Sequence, residues 1–200
     1  MKSSIQELLK REAQAVLNIP VTDAYEAAVK LIVEQVHLKR GKLVTSRMGK
    51  PGQIAMNIAT TFCSTGIPAV FLHPSEAQHG DLGILQENDV LLLISNSGKT
   101  REIVELTTLA ARLNPSLKKI VITGNAESPL AQVADICLFT GHPDEVCVLG
   151  MTPTTSTTVM TVMGDILVVE TMKQTQFTIE EYSKRHHGGY LGERSRELSK

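Results

Sequence analysis

The stretch DVLLLIS (89–95) sets large aliphatic residues side by side with no polar residue among them. A run of that kind, without alternation, marks a strand buried on both faces. Four more runs read as its companions: KLVTS (42–46), PAVFLH (68–73), KKIVITG (118–124) and DICLFTG (135–141). Helical spacing fills the intervals. Ala28, Leu31, Ile32, Gln35 and Val36 share one face, with Thr22 or Asp23 to cap and Gly41 following, and Ile54, Ile58 and Phe62 share another, ending at Gly66. Residues 100–113 and 153–174 form two further helices, the second apolar around most of its girth through Val159, Met163, Ile166 and Val169. Ser128 and Pro129 open a short helix as cap and first residue. Apolar strands alternating with helices imply a three-layer α-β-α sandwich around a five-stranded parallel sheet.

The 200 residues suit one domain, and apolar residues, 42% of the chain, are spread along its whole length. A net charge of -1 leaves no electrostatic footprint for nucleic acid or an anionic membrane. The three cysteines lack metal-type spacing; Cys63 and Cys137 read as small core residues, and a reducing compartment fits all three. The amphipathic, charged N-terminus is unlike a signal peptide, and no apolar run reaches the roughly 18 residues of a membrane span. A single cytoplasmic domain is expected, without nucleic-acid or membrane partners.

Ligands of parallel sheets bind at the carboxyl ends of the strands, and the polar loops of this chain fall there. Ser95-Asn96-Ser97-Gly98-Lys99-Thr100 leaves the third strand and opens a helix; Thr152-Pro153-Thr154-Thr155-Ser156-Thr157-Thr158 opens the long helix. Hydroxyls and backbone N–H groups at a helix start suit an anion, although Ser and Thr also cap helices with no ligand present. Two such turns in one small domain, with Gly98 permitting close backbone approach, point to a phosphate or phosphosugar clamp. Neither Lys50 nor Lys99 stands in a Walker spacing, and no Gly-x-Gly-x-x-Gly follows the first strand.

ISNSGKTREI, PTTSTT and the MGKPG after the first strand resemble the sugar isomerase (SIS) domain, a flavodoxin-like fold. FLHPSEAQHGDLG, Glu145 before CVLGMTPTTSTTVMTVMGD, and the terminal HHGGYLG are similar to the arabinose-5-phosphate isomerase family in particular, over roughly residues 20–193. The resemblance implies interconversion of D-ribulose 5-phosphate and D-arabinose 5-phosphate for 3-deoxy-octulosonate (Kdo) synthesis, in lipopolysaccharide or capsule. This sequence departs from the family's usual Gly-x-Gly-Lys-Ser-Gly at Ser46-Arg47-Met48-Gly49-Lys50-Pro51-Gly52, where Pro51 removes a hydroxyl and an N–H, and from a usual Ser-His-Pro-Gly at His186-His187-Gly188. It also lacks the paired CBS modules of longer members, so control is expected from elsewhere.

Aldose–ketose isomerisation must open the ring, move a proton through a cis-enediolate and stabilise an oxyanion. The resemblance implies Lys50, Glu102, Glu145 and His186 as catalytic, with His79 a fifth candidate. It implies Ser46, Gly49, Ser95, Asn96, Ser97, Gly98, Thr100, Thr154, Thr155, Ser156 and Thr157 as phosphate or substrate contacts. Glu145 is the expected general base, with Glu102 next; Lys50 serves phosphate or the enediolate. His79 either works on substrate or holds its loop through Asp81. His186 reaches a site only by folding back or from a neighbour, which suits a homotetramer whose subunits complete one another's sites. No cofactor or resident metal is expected; His73, His79, His186 and His187 converging on one pocket would give incidental binding at most. Other SIS isomerases, of 3-hexulose 6-phosphate or sedoheptulose 7-phosphate, and a non-catalytic phosphosugar sensor are the alternatives. A downstream sugar or nucleotide sugar is a possible inhibitor in the cleft.

Overall fold

The computed structural model describes residues 1–49 and 52–199; the expectations for Lys50 and Pro51 lie outside them. Helices α1 (Lys2–Leu17) and α2 (Ala24–Ile32) come first, the latter running on into a π-helical turn at Val33–Leu38. Then follow β1 (Leu43–Ser46), α3 (Gly52–Ser64), β2 (Ala69–Phe71), α4 (Pro74–Ala77) and a 3-10 turn at Asp81–Ile84. β3 (Val90–Ile94), α5 (Arg101–Leu113), β4 (Lys118–Thr123), α6 (Pro129–Gln132) and β5 (Ile136–Phe139) complete the sheet. The chain continues through the 20-residue α7 (Thr155–Gln174), α8 (Ile179–Ser183) and α9 (Gly189–Leu198).

All four ladders are parallel, in the order β2-β1-β3-β4-β5. The aliphatic runs are continuous because both faces of the sheet are covered. Leu43, Leu92, Ile94, Ile120 and Ile122 turn towards α2, α3 and α7, where they meet Ile32, Phe62, Met163 and Leu167. Val44, Leu91, Leu93 and Val121 turn the other way, towards Ile103, Leu106, Ala110 and Leu130 of α5 and α6. α3 and α7 pack closely at Gly164, where a Cβ would stand 2.5 Å from Ile58 Cδ1. α6 begins as the sequence predicts, with Ser128 Oγ accepting the Ala131 N–H at 3.2 Å.

Two local readings change. Cys63 is exposed rather than in the core, its thiol donating to the Ala69 carbonyl, and Cys137 is half-buried. The C-terminal segment forms two short helices. α9 buries only Gly192 and Ser195, small residues that leave no apolar period to read.

Candidate functional site at the carboxyl edge of the sheet

In a 2-1-3-4-5 sheet the chain reverses direction of growth between β1 and β3, and the crevice over that point is where such folds hold ligands. Two elements frame it here. The Ser95–Thr100 turn rises from β3. The start of α7 comes in beside β1, because Arg47, the residue after β1, reaches Met160 Sδ in the second turn of α7 at 3.0 Å.

The β3 turn is built to stay in place. Ser95, buried, exchanges a hydrogen bond with Thr100 Oγ1 at 2.8 Å, and its Oγ accepts the Gly98 N–H at 3.1 Å. Gly98 has φ +62, and a Cβ there would collide with Ser128 Oγ; a Cβ at Gly124 would stand 2.6 Å from Asn96 Oδ1. Ser97 is exposed and its Oγ accepts the Lys99 N–H at 3.2 Å, so the hydroxyl proton still points outwards. Thr100 caps α5 without a side-chain bond to its amides. Among the described residues, no acceptor takes the N–H groups of Ser97, Thr100, Arg101 or Glu102. Glu102, half-buried in the first turn of α5, stands beside them. A cavity of about 550 Å³ opens next to the turn, bounded by Asn96, Ser97, Lys99, Asn125, Phe139 and His142.

The α7 turn is differently employed. The Glu145 carboxylate accepts from Thr154 N at 2.7 Å, Thr154 Oγ1 at 2.9 Å and Ser156 N at 3.3 Å, and Ser156 Oγ donates to its other oxygen. Partial burial by itself pushes this carboxyl up; the Ser156 hydroxyl and the Thr154 amide and hydroxyl outweigh it and hold the pKa below the usual value. Thr155 Oγ1 donates to Glu12 and Thr157 Oγ1 to the Thr154 carbonyl. The hydroxyls expected to face a phosphate are therefore committed inside the protein, and a side chain supplies the anion at this helix dipole.

The segment from Glu145 to α7 carries two more features. Cys147 Sγ accepts the N–H groups of Met151 at 3.2 Å and Thr152 at 3.1 Å. Burial raises this thiol, but those amides, with the Thr152 hydroxyl and the Leu149 amide, bring it down to about 7. Val148, Leu149 and Met151 point into solvent.

Other expected site residues fall elsewhere. Ser46 is fully buried and spends its hydroxyl on the Leu72 carbonyl at 2.7 Å, so it turns away from the crevice. Gly49 makes the turn between β1 and α3, with φ +82 and its carbonyl accepting the Gly52 N–H at 2.7 Å. His79 is exposed just after α4, beside α5, where the preceding Gln78 Nε2 donates to Glu105 Oε2 at 3.0 Å. His186 stacks on Tyr182, ring centroids 3.7 Å apart, and its Nδ1 lies 3.0 Å from the Tyr182 carbonyl. This tail sits at the opposite edge of the sheet: a Cβ on Gly66, just ahead of β2, would meet the Phe177 ring and lie 3.5 Å from Arg185 Nη2. Twenty residues of α7 span about 30 Å between the two edges. His186 and His187 therefore do not join His73 and His79 in one pocket, and among the described residues no group of three metal-binding side chains forms.

Arg47 and Glu12 were not singled out from sequence. Arg47 is 5% exposed, and burial lowers its pKa to about 10. Among the described residues no carboxylate pairs with it, so it lends positive potential beneath the α7 turn. Its position in the departure at Ser46–Gly52 was the available signal.

Fold and loops together define a doubly wound α/β domain whose hydroxyl-rich turns gather at the carboxyl edge of its sheet. The chain matches the SIS domain over residues 38–170 and belongs to that family. It is 84% identical to a candidate phosphosugar isomerase involved in capsule formation from Bacteroides fragilis NCTC 9343, with a TM-score of 0.94 covering 95% of this chain and 99% of that one. The structure of E. coli CFT073 c3406 in complex with arabinose 5-phosphate matches at 35% identity and TM-score 0.79, covering 91% of this chain and 95% of that one. Arabinose 5-phosphate isomerase KdsD of Pseudomonas aeruginosa is 42% identical over 93% of this chain and 55% of its own length. KdsD of Escherichia coli K12 is 46% identical over 81% of this chain and 49% of its own length. The chain thus spans about half the length of these KdsD relatives.

Proposed function

We propose that this protein is an aldose–ketose isomerase that interconverts D-ribulose 5-phosphate and D-arabinose 5-phosphate, supplying Kdo for lipopolysaccharide or capsule. The observation that carries the reading is the presence, at the same edge of the sheet, of a rigid turn with unpaired amides and a hydroxyl-bound carboxylate. The similarity to KdsD and to a structure holding arabinose 5-phosphate supports the same sugar. In this reading Ser97 and the amides of Ser97, Thr100, Arg101 and Glu102 hold the phosphate. Glu145, ionised at neutral pH, takes the C1 proton of the ketose and returns it at C2 through the cis-enediolate. Its four donors weaken it as a base, and a substrate hydroxyl that competes for Thr154 or Ser156 restores basicity as the complex forms. Glu102, at the phosphate turn, is the second carboxylate.

His186 lies at the far edge of its own chain, so its part in ring opening requires a neighbour. α1 has no buried residue and exposes Ile5, Leu8 and Leu9, which supports residues 1–40 and 176–200 as contact segments of a cytoplasmic homotetramer. Control falls to a downstream sugar or nucleotide sugar in the crevice; unchanged turnover at millimolar concentrations of such compounds would remove that part.

The test is proton NMR of the protein with D-ribulose 5-phosphate in deuterated water. Arabinose 5-phosphate deuterated at C2 is the expected product. Unchanged substrate with broadened lines would instead favour a sensor or a longer sugar.

A further inference from the structure

α1 touches the site at one point, and the contact is polar. Arg11 Nη2 donates to the Glu145 carbonyl at 3.3 Å. Glu12 Oε1 accepts from Thr155 Oγ1 at 2.8 Å, and the same threonine oxygen accepts the Val146 N–H at 3.1 Å. A hydroxyl has one proton and two lone pairs. While its proton is held by Glu12, its lone pairs face Val146, the residue after Glu145. Without that acceptor the hydroxyl is free to rotate and loses its fixed orientation towards the Val146 N–H. The other Glu12 oxygen, Oε2, is buried with no partner. That is an unfavourable arrangement, on a helix that otherwise contributes no buried residue to the core.

We propose that Glu12 is a positioning residue for Glu145, acting through Thr155 and Val146 across 143 residues of sequence between Glu12 and Thr155. The relay fixes the backbone on which the Glu145 carboxylate is carried, while Thr154 and Ser156 fix the carboxylate itself. α1, which packs Ala15 and Val16 against the core, is thereby also a brace for catalysis. The proposal rests on the reading of Glu145 as the proton-moving group.

The test uses the full chain with D-ribulose 5-phosphate as substrate. Glu12→Ala lowers kcat about tenfold to a hundredfold, the scale of a small misplacement of a reacting group, with KM unchanged. Glu12→Gln, whose carboxamide oxygen still accepts, restores most of the rate. Thr155→Val repeats the loss, Thr155→Ser does not, and Glu12→Ala with Thr155→Val is no slower than either alone. Amide hydrogen exchange supplies a readout independent of turnover: Glu12→Ala speeds exchange at Val146 and leaves the Ser95–Thr100 turn unchanged. Unaltered exchange at Val146, or equal losses for the Ala and Gln variants, overturns the relay. Wild-type turnover by Glu145→Gln would instead overturn the role given to Glu145, while the exchange result would still judge the brace.

Discussion

Two helices of this domain start with a hydroxyl-rich turn at the same edge of the sheet, and they use it in opposite ways. At α5 the side chains of Ser95 and Thr100 bond to each other, leaving the backbone amides and Ser97 outermost. At α7 the amides and hydroxyls of Thr154 and Ser156 close on Glu145. Both answer the same electrostatic demand, a negative charge near the positive end of a helix. The first leaves its outer amides open, to a substrate phosphate in the proposed reading; the second closes on a carboxylate of its own. Composition at a helix start therefore tells that an anion is wanted, not where the anion comes from.

The contrast is broken most readily at Glu145. Glu145→Gln lowers kcat about 10²- to 10⁴-fold, the range of a lost general base, and leaves KM for the 5-phosphate nearly unchanged in steady-state assays. A large rise in KM would mean that both turns hold ligand. Ser97→Ala is the complementary change. It raises KM about tenfold or more, as loss of a hydrogen bond to a charged group does, with kcat and thermal melting little altered. An unchanged KM would remove the difference between the turns.

The smallest effect is on stability. A carboxyl held low in the folded state contributes stability that is full above its unfolded pKa and is lost as pH falls through its folded one. Urea unfolding of wild type and Glu145→Gln therefore differs at pH 7, with wild type the more stable. The difference begins to shrink as pH falls below about 4.5, the ordinary glutamate value, and vanishes only below the lower folded one. Convergence at neutral pH instead would show the donors of α7 to be indifferent to the charge they hold.

The sheet was readable because its strands are buried on both faces, so Val90 to Ile94 and Ile120 to Ile122 have no polar interruption. The gathering of the polar loops at one edge was likewise readable, since in a parallel sheet the strands all end on the same side. The occupant of the α7 turn did not follow, because Glu145 is separated from Thr154 by a loop whose path no periodicity records. Glu12 was hidden for a related reason: on an amphipathic helix a glutamate reads as a solvated charge, and its partner lies at the other end of the sequence. Ser46 misled because a serine at a strand end is ambiguous until the side of the strand it faces is known. α8 buries no residue and α9 only Gly192 and Ser195, so neither carries a hydrophobic signature.

The crowding around Gly98 and Gly124 also bears on how such a protein can diversify. With Ser128 and Asn96 standing where a side chain would go, neither position tolerates drift, and the turn they shape is shielded from the ordinary supply of single substitutions. New sugar preferences must then be drafted at places that can change without penalty to folding. Val148, Leu149 and Met151, exposed side chains that follow the residue proposed to move the proton, are where a substitution meets least resistance from folding.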